Sequence, residues 1–200
     1  AHSAIQFLLH GLGVPRERLL LVGHSIGAAF AMQAASRSFR DVAVCNSRSF
    51  ASLSATVQVH AGDFLGLPRA SPWLPTLRSL ARWLVKLTHW ELDSAAVWGK
   101  LRGFKWAEYA REDHIIPLGV SLYAATAGSD FARELQLSSL QGDNHNRPLT
   151  PMEWHQHLAL VESALGLSLL SPSTGTPNLN AAKADQGHPA PLANSGPATG

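Results

Sequence analysis

The apolar run Leu19-Leu20-Leu21-Val22 passes without a break into Gly23-His24-Ser25-Ile26-Gly27 and then into Ala28-Ala29-Phe30-Ala31-Met32. Such a run, then a glycine-flanked turn, then small residues, reads as strand, sharp turn, helix. A strand with no polar face has to be covered on both sides, the condition of a parallel sheet clothed in helices. The serine sits at the apex of the turn. A strained strand-to-helix turn exposes a hydroxyl there and aims backbone N–H groups at whatever carbonyl meets it. Gly23 and Gly27 are expected to be required, because side chains at both would collide with the neighbouring helix and strand.

The rest of the chain repeats the alternation. Residues 3–12 read as an amphipathic helix with Ile5, Leu8, Leu9 and Leu12 on one face, ended by Gly11, Gly13 and Pro15. Strands are expected at 18–22, 41–45, 104–110 and 135–140, and helices at 27–36, 117–127 and 151–167. The last helix starts after Thr150, a good N-cap followed by proline at the first helical position. This order predicts an α/β fold with a mostly parallel sheet of about four strands and helices on both faces. In such sheets the reactive groups collect at the carboxyl ends of the strands. Residues 1–170 are expected to form one domain. Residues 171–200 hold five prolines, four glycines and only Leu179 and Leu192 as large apolar side chains, so they read as a disordered tail.

Composition narrows the function classes. Two hundred residues with 46% hydrophobic content can bury one sizeable core. A net charge of +2 gives no electrostatic case for nucleic acid as a partner. The single cysteine, Cys45, excludes an internal disulfide and a cysteine-based zinc cluster, and in Val42-Ala43-Val44-Cys45 it reads as a buried strand thiol. No apolar run reaches the roughly 18 to 20 residues of a membrane span. One cysteine and no visible signal segment favour a cytoplasmic setting.

Two further loops fall where partners of Ser25 are needed. After strand 104–110 comes Arg111-Glu112-Asp113-His114-Ile115-Ile116-Pro117, and after strand 135–140 comes Gln141-Gly142-Asp143-Asn144-His145-Asn146. Asp113 is the acid candidate, with helix capping as its competing role and Glu112 or Asp93 as substitutes. His145 is the base candidate. Its competitors are weaker: His24 flanks the serine, His114 faces solvent, and His155 and His157 are surface or packing residues of the last helix. Metal binding through His155 and His157, or through Asp143 and His145, lacks a well-spaced third ligand. No cofactor is expected.

These three pieces, Gly23–Gly27, Asp113–Pro117 and Gly142–Asn146, resemble the α/β-hydrolase superfamily, whose reactive residues run in the order serine, acid, histidine. The resemblance spans residues 1 to about 167 and corresponds to the C-terminal half of that fold, a three-layer sandwich. It implies that Ser25 attacks an acyl carbonyl, that His145 acts as general base and then acid, and that Asp113 orients the imidazole. It also implies that the Ile26 N–H supplies one oxyanion donor. Residues of about 58–100 lie where the family inserts a helical cap. They hold four of the six tryptophans, with Leu74, Leu77, Leu80, Leu84 and Leu87 at helical spacing, which suits an apolar roof over an acyl pocket. Arg78, Arg82 and Lys86 form a basic stripe opposite the leucines, readable as a solvated face or as contact with an anionic lipid surface.

The expected activity is serine hydrolysis of a carboxylic ester or lipid-like acyl substrate, although amidase, thioesterase, peptidase and lyase chemistry also occur on this scaffold. The family normally carries about four strands before the elbow, and the loop after the third gives the second oxyanion donor. His10-Gly11-Leu12-Gly13 reads as a helix end rather than that loop. The chain is therefore expected to be part of a longer hydrolase, with strand 18–22 as an unpaired apolar edge. The competing function is a catalytically incomplete product that acts, if at all, by association through that edge.

Overall fold

A computed structural model describes residues 1–128 and 133–167. The reading of 171–200 as a tail lies outside the described residues. Four strands, β1 (Leu20–His24), β2 (Ala43–Ser47), β3 (Lys105–Ala110) and β4 (Arg133–Leu137), form one parallel sheet in the order β1-β2-β3-β4. Strand order follows chain order, so every connection is a crossover in one direction. All four strands were expected, with bounds shifted by up to three residues.

The side-chain period of two sends alternate residues to opposite faces. On one face Val44 and Ala107 pack with Met32, Ala35, Val97, Trp98 and Leu122. These come from the helices α2 (Ile26–Ser38), α5 (Ser94–Trp98) and α6 (Leu122–Thr126). On the other face Trp106 and Glu108 meet His157 of α7 (Pro151–Leu165), while Leu135 and Leu137 pack against Leu160. Trp106, Met32 and Leu122 are almost wholly buried. Each such side chain contributes about 1.5–3 kcal/mol relative to exposure.

Local signals start and stop the helices, and the Thr150 cap was expected. Thr150 and Glu153 form a reciprocal capping box at the start of α7, and Gly166 closes it at φ 60°. Ser52 caps α3 (Leu53–Phe64), its hydroxyl accepting from the Ala55 N–H. Two helices differ from expectation. The first is a short α1 (His2–Gln6) that widens into a π turn over Phe7–Gly11, leaving Leu12 exposed and Ile5 as its buried anchor. The segment 117–127 breaks into a 3-10 turn at Leu118–Val120 and α6, because Ser121 takes an extended backbone and caps α6 through Ala124 N–H.

Strand β1 lies at the edge of the sheet, pairing with β2 alone among the described strands. Val22 is 59% exposed, against the expectation that both faces of this strand are covered. A groove of about 400 Å³ runs beside the edge, lined by Ile5, Leu8, Leu20, Val22 and Phe30.

Helices α3 and α4 (Leu74–Leu87) pack against each other, with Leu74 set against Gly62. The apolar sector of α4 is wider than its contact with α3. Leu74 is buried, and Leu77, Ala81 and Val85 are half-buried. Leu80, Trp83, Leu84 and Leu87 are exposed. The basic residues keep the expected side of α4 away from the leucines: Arg82 and Lys86 are exposed there and Arg78 is half-buried.

Candidate active site

Ser25 is the turn between β1 and α2, and its backbone takes φ 52°, ψ −130°. A non-glycine residue in that region is strained by about 1–3 kcal/mol. Two bonds hold it there: Ser25 N–H donates to Ser47 O at 2.9 Å, and Ala28 N–H donates to Ser25 O at 3.1 Å. Gly23 lets the helix come close, since a Cβ at that position would lie 2.3 Å from Ala28 Cα. Gly27 differs. A Cβ there meets nothing within 4 Å, so the expected collision does not occur. The reason is that Gly27 faces the groove beside the edge strand rather than a neighbouring strand.

Asp113 follows β3, and the chain turns back sharply over its carboxylate. Oδ1 accepts from Ile115 N–H at 2.9 Å and from Ile116 N–H at 2.8 Å, leaving Oδ2 for His145 Nδ1 at 2.7 Å. No helix starts here, so the competing capping role is not what is seen: Oδ1 holds the turn while Oδ2 pairs with His145. Burial opposes ionisation of this carboxyl. The bonds from His145, Ile116 and Ile115 outweigh it and hold its pKa below the usual carboxylate value. Both Asp113 and His145 are buried, and Ser25 is half-buried.

His145 Nε2 lies 2.9 Å from Ser25 Oγ. An ionised carboxylate can only accept, so Nδ1 carries a proton toward Asp113 and Nε2 is left to accept from the serine hydroxyl. The three residues form a continuous hydrogen-bonded relay at the carboxyl ends of β1, β3 and β4. Ile26, the residue after Ser25, opens α2, and N–H groups in the first turn of a helix have no intrahelical acceptor.

The loop that carries His145 contains no helix or strand and is fixed by side chains. Asp143 accepts from the N–H groups of His145 and Asn146. Buried Asn144 closes the loop on Leu140 through both its amide groups. Arg147 forms a two-pronged pair with Glu153, and Glu153 also accepts from Ser138 and Thr150 N–H groups. The Arg147 bond leads the effects that depress the Glu153 pKa, well below its ordinary value. Arg48, just after β2, donates to the loop's carbonyls. Sequence reasoning left Arg48 in an unassigned loop and missed Glu153 beyond its place near a helix start. An arginine directly after a buried strand was the available signal.

Most of the remaining candidates lie elsewhere. Asp93 caps α5 through Ala96 N–H, and Glu112, His114 and His155 are exposed. His24 stacks at a tilt on His145, 4.9 Å between ring centres, and burial followed by the His145 and Arg48 charges lowers its pKa. His157 turns inward. With Cys45 and Glu108 it brings three metal-ligating atoms within 4.8 Å of one another. Glu108 already accepts from His157 and Trp106, so this group is a hydrogen-bonded brace between sheet and α7. Burial, then Glu108, pushes the Cys45 thiol pKa well up, which keeps it a neutral packing group.

A cavity of about 520 Å³ opens beside the relay, lined mainly by Ile26, Phe50, Leu53, Val57, Ile115 and Ile116. Its walls come from the residues after Ser25 and Asp113 and from α3. Of the stretch expected as the roof, His60, Asp63 and Phe64 line this cavity, while its tryptophans do not: Trp98 is in the core, Trp73 and Trp83 are exposed, and Trp90 lines a separate cavity of about 340 Å³ with Ile26 and Leu92.

No protein-family model matches the chain, and no curated protein matches it in sequence. Solved structures do match in fold. The protein TT1662 from Thermus thermophilus is 17% identical with a TM-score of 0.50, over 84% of this chain and 61% of that one. The esterase Pf2001 from Pyrococcus furiosus is 11% identical with a TM-score of 0.52, over 81% of this chain and 59% of that one. The chain thus spans about three fifths of the length of the structures it matches. At these identities the likeness speaks for architecture, and a parallel sheet with a strained serine turn after β1 agrees with it: the chain has the α/β-hydrolase fold, of which it forms a four-stranded part.

Proposed function

We propose that the chain is the reactive part of a serine hydrolase that cleaves a carboxylic ester or lipid-like acyl substrate through Ser25, His145 and Asp113. The observation that carries this is the relay, 2.9 Å from Ser25 Oγ to His145 Nε2 and 2.7 Å from Nδ1 to Asp113 Oδ2. His145 takes the hydroxyl proton as Ser25 Oγ bonds to the carbonyl carbon. The oxyanion that forms meets the Ile26 N–H. Collapse releases the alcohol, which receives the proton from His145, and leaves an acyl group on Ser25. Water, activated by the same imidazole, then frees the acid. Asp113 stays ionised throughout and stabilises the imidazolium. The apolar cavity next to Ile26 suits an aliphatic acyl group.

The test is turnover of p-nitrophenyl butyrate by the purified chain, compared with Ser25→Ala and His145→Ala. Hydrolysis that both variants abolish is expected. Residual turnover equal to wild type in Ser25→Ala would overturn the proposal.

A second reading concerns α4 as the surface that meets an anionic bilayer. Trp83 and Leu87 are 56% and 55% exposed, and Arg82 and Lys86 border them, the arrangement of an interfacial helix. Co-sedimentation with phosphatidylserine vesicles that falls in the Arg82→Gln, Lys86→Gln double variant is the expected result. Unchanged co-sedimentation, or none in wild type, contradicts it.

A further inference from the structure

Arg48 has no part in the relay, yet it combines two unfavourable features. It is buried, and its backbone sits at φ 50°, a region that long side chains rarely adopt. What these features achieve is a single guanidinium nitrogen, Nη1, placed among three carbonyl oxygens. It lies 2.7 Å from Arg147 O, 2.8 Å from His145 O and 3.4 Å from Asn144 O. All three belong to the loop that carries His145. The Nε of the same group is buried with no hydrogen-bond partner among the described residues, so the side chain is aimed at those carbonyls and not at satisfying itself.

The backbone beside Arg48 serves the other two members of the relay. Ser47 O accepts from Ser25 N–H at 2.9 Å, and Arg48 N–H donates to Glu108 O at 2.7 Å, near the end of the strand that leads to Asp113. The end of β2 is therefore a common reference for the serine turn, the acid's strand and the histidine loop. The Arg147–Glu153 pair ties that loop to α7, a different element. Arg48 ties it to the sheet end against which Ser25 is set.

We infer that Arg48 is a positioning residue: its guanidinium holds the His145 loop at the separation from Ser25 at which the imidazole can take the hydroxyl proton. This deepens the serine-hydrolase reading and rests on it. The imidazole's own bonds fix the ring's tilt and tautomer, but the backbone that bears it has no strand or helix to hold it. Charge-assisted bonds to three carbonyls supply that hold. Without them the carbonyls seek water and the loop moves outward. A displacement of about 1 Å is enough to lose about 10²-fold in rate.

The experiment compares Arg48→Met and Arg48→Lys with the wild-type chain in two measurements: the rate of Ser25 phosphonylation by a fluorophosphonate probe, and hydrogen exchange read peptide by peptide. A lysine ammonium offers three N–H donors and can serve the same three carbonyls. Arg48→Met is expected to lower the phosphonylation rate by about 10²-fold. Exchange should rise over residues 140–147, with β2 and β3 unchanged. Arg48→Lys should recover at least a tenth of the wild-type rate and most of the loop's protection. Labelling of Arg48→Met within threefold of wild type overturns the inference. So does exchange that rises equally across the sheet with no recovery in Arg48→Lys, which is the signature of simple fold support. A wild-type chain that is folded but unlabelled counts against the hydrolase reading instead. In that case protection of 140–147 still decides whether Arg48 holds the loop.

Discussion

Asp113→Asn separates orientation from support at the same residue. The substitution keeps the shape of the side chain and the acceptor that holds the turn. The amide oxygen can take the place of Oδ1, accepting from Ile115 and Ile116 N–H groups at 2.9 and 2.8 Å. The amide nitrogen then replaces Oδ2, 2.7 Å from His145 Nδ1. Two N–H groups cannot face each other there, so Nδ1 must become the acceptor and the imidazole proton moves to Nε2. That nitrogen is the one that must accept from Ser25 Oγ. The wrong tautomer lowers the rate of serine attack by about 10⁴-fold in a relay of this kind, which is about 5.4 kcal/mol of barrier. Stability should change far less, because both backbone bonds survive. The assay is the second-order rate of fluorophosphonate labelling at pH 8, with the melting temperature measured in parallel. A large loss of rate with Tm within a few degrees is the predicted pair. Labelling within tenfold of wild type would refute the assignment of Asp113 as the orienting acid.

Three other predictions follow from single contacts. Gly23→Ala places a methyl 2.3 Å from Ala28 Cα and should destabilise the fold by about 1–3 kcal/mol or more, whereas Gly27→Ala meets open space within α2 and should hold or raise Tm; a thermal melt of both decides. Glu153→Gln breaks a buried pair with Arg147 and should cost about 3–5 kcal/mol in denaturant titration at pH 7. Because folding lowers the Glu153 pKa, its contribution is present above the unfolded carboxylate value of about 4.3 and is lost as pH falls below it, so the gap between wild type and variant should narrow in acid. Val57→Trp fills part of the cavity beside Ile26 and should lower kcat/KM for p-nitrophenyl octanoate at least tenfold relative to the acetate.

Much of this architecture was legible because the local signals are unambiguous. The apolar run ending at Val22, the turn at Ser25 and the Thr150-Pro151 helix start each have one physical interpretation, and each appears in the structure, the strand shifted by two residues. The placement of Ser25, Asp113 and His145 at one sheet edge followed from chain order alone. What escaped depends on contacts across sequence separations of 96 to 99 residues, such as Arg48 reaching the loop of His145. No periodicity or motif encodes that reach. Gly27 escaped for the opposite reason: its collision was expected from the turn motif alone, and the motif does not carry the consequence of the expected edge at β1, which leaves Gly27 facing an open groove. The outward leucines of α4 likewise look like any amphipathic helix until the width of its partner, α3, is known.

The central claim is that Ser25 is a nucleophile activated by His145. Its most direct measurement is the mass of the chain after a fluorophosphonate, followed by peptide mapping of the adduct. The account predicts one adduct, on the peptide containing Ser25, absent in both Ser25→Ala and His145→Ala. A folded chain that remains unmodified, or one modified at a different residue, contradicts it.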